Sequence, residues 1–335
     1  MEIVIFGAGS IGCYLGAILT KQHINVTLVG RDRLKNTIEQ RGGIAISDYH
    51  GREDNITNVN YTTDPSALVN ADVVLVTLKC TAIAEARTVL ANFCRDDTLI
   101  VCLQNGVGSE QMVQESLPAN KVVAGIVPFN VVGENGKFHR GTEGSLYLPL
   151  LSALTPLRDA FISYGLPCEF PQDMNAVIWG KLQLNLNNAI NAFADIPLKA
   201  QLSQRGYRAL LSACQKELLR YCTRKGIKLA KLTAVPPSWL PSILMLPDWL
   251  FRVVAKKMLD IDPRARSSMW EDVQAGRETE IGFLNARVVE LANSIGLKAP
   301  ANKLVTELLE VRSAGKAVTV TPEELIELVH ELQDR

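Results

Sequence analysis

The sequence predicts an α/β protein in two parts: an N-terminal doubly wound parallel sheet over residues 1–171 and an all-helical C-terminal domain over residues 172–335. Runs that are apolar throughout, rather than alternating, recur at 3–6, 25–29, 73–77, 99–103 and 122–127, as strands buried on both faces of a parallel sheet do. The stretches between them are long enough for crossover helices. Past Pro171 the apolar spacing changes to three and four residues, over 176–193, 207–224, 267–294, 301–311 and 322–333, which predicts helices. Between the two parts, residues 131–150 mix four glycines with polar residues and predict antiparallel strands and turns that close the first domain.

A length of 335 residues suits about two domains, at roughly 150 residues each. With 47% hydrophobic and 21% charged residues the chain can bury a core, which excludes wholesale disorder. Lysine plus arginine (35) cancels aspartate plus glutamate (35), so no whole-chain field favours nucleic acid or a membrane, and the expected partner is a small molecule. Seven cysteines, never spaced C-x-x-C, read as reduced core thiols, and four scattered histidines give no ligand pattern, so no metal is expected. No basic stretch leads into a signal-peptide core after Met1, and a cytoplasmic address is expected. Residues 239–259 are apolar, but Pro241, Pro247, Asp248, Arg252, Lys256 and Lys257 interrupt them, so they do not span a membrane. They are expected either to pack in the core or a subunit interface, or to cover an active site.

The first element ends in Gly7-Ala8-Gly9-Ser10-Ile11-Gly12 and passes into a helical pattern. G-x-G-x-x-G between a strand and a helix marks a Rossmann-like dinucleotide site: Gly7 for the tight turn, Gly9 for backbone approach to a pyrophosphate, Gly12 for close helix–strand packing. The helix N-terminus offers its N–H groups to the anion. At the end of the second strand an acidic residue would accept from a ribose 2′-OH, but this chain has Gly30-Arg31. Glycine leaves room, and Arg31, with Arg33, can pair with a 2′-phosphate, so NADPH/NADP is expected over NAD. Asp32 would weaken that preference if it turned inward. Lys79 and Asn105-Gly106 follow the third and fourth apolar runs, at the edge where such sheets bind ligands. Lys79 suits a cofactor phosphate and Asn105 the nicotinamide ribose or the substrate, although an N-G turn needs no function to explain it.

The second domain opens with Trp179-Gly180-Lys181-Leu182-Gln183-Leu184-Asn185-Leu186-Asn187-Asn188. Lys181, Asn185 and Asn188 share one helical face, and asparagine is a poor helix former, so either a polar ligand or a structural polar network accounts for them. Further on, Ser267-Ser268-Met269-Trp270-Glu271-Asp272 leads to Arg277-Glu278-Thr279-Glu280-Ile281. Ser268 with Glu271 fits a capping box and Glu280 fits an ion pair with Arg277. Twelve residues apart, Ser268 and Glu280 would stand about 120° apart around one helix.

Together, and in this order, the GAGSIG loop, L-K at 78–79, L-Q-N-G at 103–106, W-G-K-L-x-x-N at 179–185 and S-S-M-x-x-D at 267–272 continuing to R-x-T-E-I at 277–281 resemble the ketopantoate reductase family over nearly the whole chain. The resemblance implies NADPH-dependent reduction of 2-dehydropantoate (ketopantoate) to pantoate for pantothenate and coenzyme A synthesis. It implies that Lys181 is the general acid, that Asn105, Asn185 and Ser268 hold the substrate, and that Glu280 contacts and orients its hydroxyl. Lys79 and Arg31 would then serve the cofactor. The chain departs from the family's pattern at Ala189, Gly282 and Ala286, which bears on the substrate more than on the chemistry. Two other readings follow: a paralogous NADP-dependent reductase or dehydrogenase of another 2-oxo or hydroxy acid, and a nucleotide-binding regulator without chemistry. Apolar C-terminal helices suggest a homodimer.

Overall fold

The structure is a computed structural model that describes residues 1–256 and 264–333. Lys257 and the end of the 239–259 segment lie outside the described residues. The chain divides into two compact units, Met1–Met174 and Asn175–Arg335.

The first unit begins with β1 (Ile3–Phe6), α1 (Ser10–Lys21), β2 (Val26–Val29) and α2 (Asp32–Arg41). There follow β3 (Ile44–Asp48), β4 (Glu53–Ile56), β5 (Asn60–Thr62), β6 (Val73–Val76), α3 (Ile83–Phe93), β7 (Leu99–Cys102), α4 (Ser109–Ser116) and β8 (Val122–Ala124). Six strands form a parallel sheet in the order β5-β2-β1-β6-β7-β8. Every residue of β6 and β7 is buried, because helices cover both faces; each such side chain contributes about 1.5–3 kcal/mol. The strand order reverses between β1 and β6, which opens a crevice beyond their carboxyl ends.

A second sheet, β4-β3-β10-β9, adds the hairpin of β9 (Val131–Glu134) and β10 (Lys137–Arg140), whose turn places Asn135 and Gly136 at positive φ. It packs on α1, whose residues Gly12 to Leu19 are all buried. Gly16 is needed there: a Cβ would stand 2.9 Å from the Leu28 side chain of β2. The antiparallel pair expected within 131–150 is present, but β10 also runs parallel to β3, and the β3–β4 hairpin has no counterpart in the sequence reading. Its strands are half polar, with Glu53-Asp54-Asn55 in one of them, so no apolar run marks it. The unit closes with β11 (Leu146–Tyr147), α5 (Thr155–Tyr164) and β12 (Cys168–Glu169).

The second unit is helical. It comprises α6 (Met174–Asn185), α7 (Asn187–Ala194), α8 (Leu198–Leu202), α9 (Arg205–Lys225), α10 (Leu240–Leu244), α11 (Asp248–Val254), α12 (Ser268–Gln274), α13 (Asn285–Asn293), α14 (Pro300–Ser313) and α15 (Pro322–Gln333). Helix α9 is the axis on which α10, α13, α14 and α15 pack. Buried Glu217 on α9 accepts from the backbone N–H groups of Ala301 and Asn302 and caps α14.

Two helical expectations are corrected. The 176–193 pattern breaks at Leu186 into α6 and α7. The 267–294 pattern is not one helix: α12 ends before Gly276 (φ 61°), a 3₁₀ turn covers Glu280–Phe283, and α13 starts afresh, so Ser268 and Glu280 stand on different elements.

The 239–256 segment is tied to α9 by a polar stripe at i, i+4 and i+7. Arg208, fully buried, donates to the carbonyls of Leu202, Leu244 and Leu246, pairs with Asp248 at 2.7 Å and lies over the Phe251 ring. Ser212 donates to the Pro241 carbonyl; Gln215 donates to that of Gln183, whose own amide reaches the Pro237 carbonyl. Leu240, Leu244 and Phe251 fill the core, whereas Trp239 (63%) and Trp249 (70%) are exposed. None of the seven cysteines forms a disulfide. Among the described residues no helix is long and apolar enough to cross a membrane.

Candidate active site

In the first unit, four adjacent strands, β2-β1-β6-β7, bring the predicted cofactor residues to one edge: Gly30 and Arg31, Gly7 to Gly12, Lys79, and Asn105. The glycine loop is held from both sides. The Gly7 and Ala8 N–H groups donate to the Val29 carbonyl, and the Thr77 hydroxyl donates to the Gly7 carbonyl at 2.8 Å. Gly7 has φ 99°, and a Cβ there would meet Leu78 at 2.5 Å; at Gly12 a Cβ would meet Thr77 Oγ1 at 2.6 Å. These two glycines are therefore required by the protein's own packing. Gly9 is different: a Cβ there would have only the Gly7 carbonyl near it, at 3.9 Å. Helix α1 starts at Gly9 with no side-chain cap and no acidic residue in its first turn. Open space at an uncapped helix start is where a phosphate fits, so this chain's residues suit a dinucleotide.

Around the loop, Arg31 and Lys79 are exposed, and Asn105 is half-buried. Arg31 precedes α2, and Asp32 is the first residue of that helix. The β7 end is locked to the β6 end: buried Gln104 donates to the carbonyls of Val76 and Leu78, and the Cys80 thiol donates to the Asn105 carbonyl at 2.9 Å. Gln104 thus positions both Asn105 and Lys79, a role that its place in the L-Q-N-G motif does not by itself reveal.

One expectation here is corrected. The room left by Gly30 is already taken: Tyr61, from β5, lays its hydroxyl over Gly30, 3.3 Å from the Ala8 carbonyl, and a Cβ at position 30 would overlap it. Short, polar β5 gave no signal for this residue. A cavity of about 340 Å³ on the second sheet, lined by Arg41, Ser47, Asn55 and Lys137 among others, shares no residue with the edge.

In the second unit, Lys181 and Asn185 lie one turn apart on α6, Asn185 buried and Lys181 partly so. Burial pushes the Lys181 ammonium down to about 8. Gly180 beside it is structural: the Ala230 N–H donates to the Ala176 carbonyl, and a Cβ at 180 would stand 2.7 Å from the Ala230 oxygen.

The start of α12 is sewn to α7. Ser267, not Ser268, is the cap: its hydroxyl accepts from the Trp270 N–H at 3.1 Å and donates to the Asn188 carbonyl at 2.9 Å, while its own N–H donates to Asn191 Oδ1 at 2.8 Å. This corrects the capping role expected of Ser268. Asp195, at the end of α7 with φ 54°, accepts from the Trp270 indole at 2.6 Å and pairs with Arg312. Arg277 pairs with buried Asp272 at 2.9 Å. Asn285 donates to the Leu186 carbonyl and to Asn302. The stretch 185–191 is thereby joined to Ser267 and to Asn285, five residues past Glu280. Ala189 is fully buried, and beside Gly282 there is open space.

A parallel-sheet edge built for a nucleotide, with a helical unit that adds a lysine of lowered basicity, defines a class: the dinucleotide-binding oxidoreductases of two units. Within it the chain belongs to the ketopantoate reductase family. The family description "Ketopantoate reductase PanE/ApbA" matches residues 3–153, and that of its C-terminal domain matches residues 173–313. A 2-dehydropantoate 2-reductase of Halobacterium salinarum is 24% identical over 93% of this chain and 98% of its own length. The crystal structure of a PanE/ApbA family ketopantoate reductase from Ralstonia eutropha superposes with TM-score 0.79 at 25% identity, covering 94% of this chain and 99% of that one. D-mandelate dehydrogenase, solved with NADH and anilino(oxo)acetate, shares the fold with TM-score 0.76 at 19% identity, over 94% of this chain and 99% of its own.

Proposed function

We propose that this chain reduces a 2-oxo acid with NADPH, and that the acid is ketopantoate, giving pantoate for pantothenate and coenzyme A synthesis. The observation that carries the reading is Lys181, an ammonium whose acidity burial brings close to neutrality, one helical turn from buried Asn185. Reduced nicotinamide, when bound, supplies hydride to the C2 carbonyl. Lys181 Nζ donates the proton to the carbonyl oxygen as negative charge grows there, and is well matched to the task because its acidity lies near working pH. Asn105 and Asn185 hold the substrate by amide hydrogen bonds, Ser268 binds its carboxylate end, and Glu280 accepts from its hydroxyl. Gly7, Ala8, Gly9, Ser10, Ile11 and Gly12 present backbone to the pyrophosphate, Arg31 pairs with the 2′-phosphate, and Lys79 meets a phosphate. The family and the relatives named 2-dehydropantoate 2-reductase support the substrate.

A second reading, reduction of another 2-oxo acid, is favoured by Ala189 and Gly282, which offer no polar side chain where the family pattern has one, and by the likeness to D-mandelate dehydrogenase. The test is turnover on ketopantoate beside a panel of aryl and alkyl 2-oxo acids, each with NADPH and with NADH. Fastest turnover of ketopantoate with NADPH is expected. Preference for an aryl oxo acid would move the assignment to the second reading, and nucleotide binding without any turnover would sink both.

A further inference from the structure

We propose that Tyr61 is a specificity-determining residue for the cofactor, its phenol hydroxyl standing where an acidic residue at the end of β2 would otherwise read the ribose and donating to a 2′-phosphate oxygen beside Arg31. The proposal rests on the NADPH reading above and adds a residue that no motif marks.

Four observations on the first unit carry it. Tyr61 pairs with Leu28 across β5 and β2, so its side chain emerges one residue short of the β2 carboxyl end, at the ribose-reading position of a doubly wound sheet. Its hydroxyl lies over Gly30, and any side chain at position 30 would overlap it. An aspartate or glutamate there, the residue that repels a 2′-phosphate, is therefore excluded by Tyr61 itself. The hydroxyl's two acceptors, the carbonyls of Ala8 and Arg31, stand at 3.3 and 3.5 Å, longer than the 2.5–3.0 Å of a good O–H···O bond, so its proton is readily redirected to a better acceptor. Arg31 and Arg33, both exposed, give the same corner positive charge, with Asp32 the single acidic group between them. Burial also pushes the phenol well above its ordinary range, which keeps it a donor at any physiological pH. A neutral donor held by packing complements an exposed guanidinium: the first gives direction, the second charge.

The test is calorimetric binding of 2′,5′-ADP and of 5′-AMP to the full chain and to its Tyr61→Phe variant, with no turnover involved. The wild type is expected to favour 2′,5′-ADP strongly, and Tyr61→Phe to lose about tenfold of that preference with 5′-AMP affinity unchanged, the size of one hydrogen bond to a charged group. Equal loss for both nucleotides would make Tyr61 a packing residue and overturn the proposal, as would an unchanged preference in the variant. A wild type indifferent to the 2′-phosphate would instead overturn the NADPH reading, and the role of Tyr61 with it. A Tyr61→His variant, which restores a donor at a similar place, should recover part of the preference.

Discussion

The burial of Lys181 costs stability. Burial lowers its pKa from the ordinary lysine value of 10.5 to about 8, so the unfolded chain holds the proton more tightly than the folded one. The cost of burying the ammonium is complete below pH 8 and is relieved as pH rises from 8 towards 10.5. Lys181→Met should accordingly raise the unfolding free energy at pH 7 by about 1–3 kcal/mol, read from denaturant titration, and lower kcat by about two to four orders of magnitude. With Lys181 as the proposed general acid, kcat for reduction in the wild type should fall above a pKa near 8. A kcat independent of pH up to 10 would remove Lys181 from the proton step.

At the scale of elements, the join between α7 and α12 sets where Ser268 stands. Asn191 is fully buried and serves three partners: it accepts from the Ser267 N–H and donates to the Ile196 carbonyl and to Gln201. Asn191→Ala leaves the Ser267 N–H and the Ile196 carbonyl without this partner, while Gln201 keeps its bonds to Asn187, and should cost about 1–3 kcal/mol. Because α12 loses one of its anchors, KM for the oxo acid should rise while nucleotide affinity, read by calorimetry, stays the same; a rise in KM together with a loss of nucleotide affinity would make Asn191 merely structural. The sequence let the strands of the first sheet be read because burial on both faces writes an unbroken apolar run. It hid the β3–β4 hairpin and the place of Tyr61, because each depends on what lies across from it in space; the break at Gly276 is a local left-handed glycine helix end with open space around it, a signal the apolar spacing on either side masked. The Ser268 cap was misread for a similar reason: the S-x-x-E spacing selects Ser268, whereas the cap falls on Ser267, which is held by the Asn188 carbonyl and Asn191 Oδ1, both distant in sequence.

On the scale of the whole molecule, each unit carries its own buried core, so residues 1–174 expressed alone should fold cooperatively and bind 2′,5′-ADP as the full chain does. Loss of cooperative unfolding in that fragment would show that the first unit depends on the second. Both parts of the proposed site were legible as motifs, the glycine loop and the Lys181 helix, since each is local in sequence. The polar ties around them, Gln104 at the β6 and β7 ends, Asn191 between α7 and α12 and Glu217 at the start of α14, were not, since their partners are distant. Helix α1 has one more consequence. Sheathed between two sheets over Gly12 to Leu19, its middle peptide dipoles lie in a low-dielectric surround that mobile ions do not enter, and the helix meets solvent at its two ends, the N-terminal turn and Lys21. If Arg31 and Lys79 meet phosphates as proposed, ionic strength should weaken nucleotide binding chiefly through these two exposed side chains, and the share contributed by the half-sheltered helix start should fall less steeply with salt.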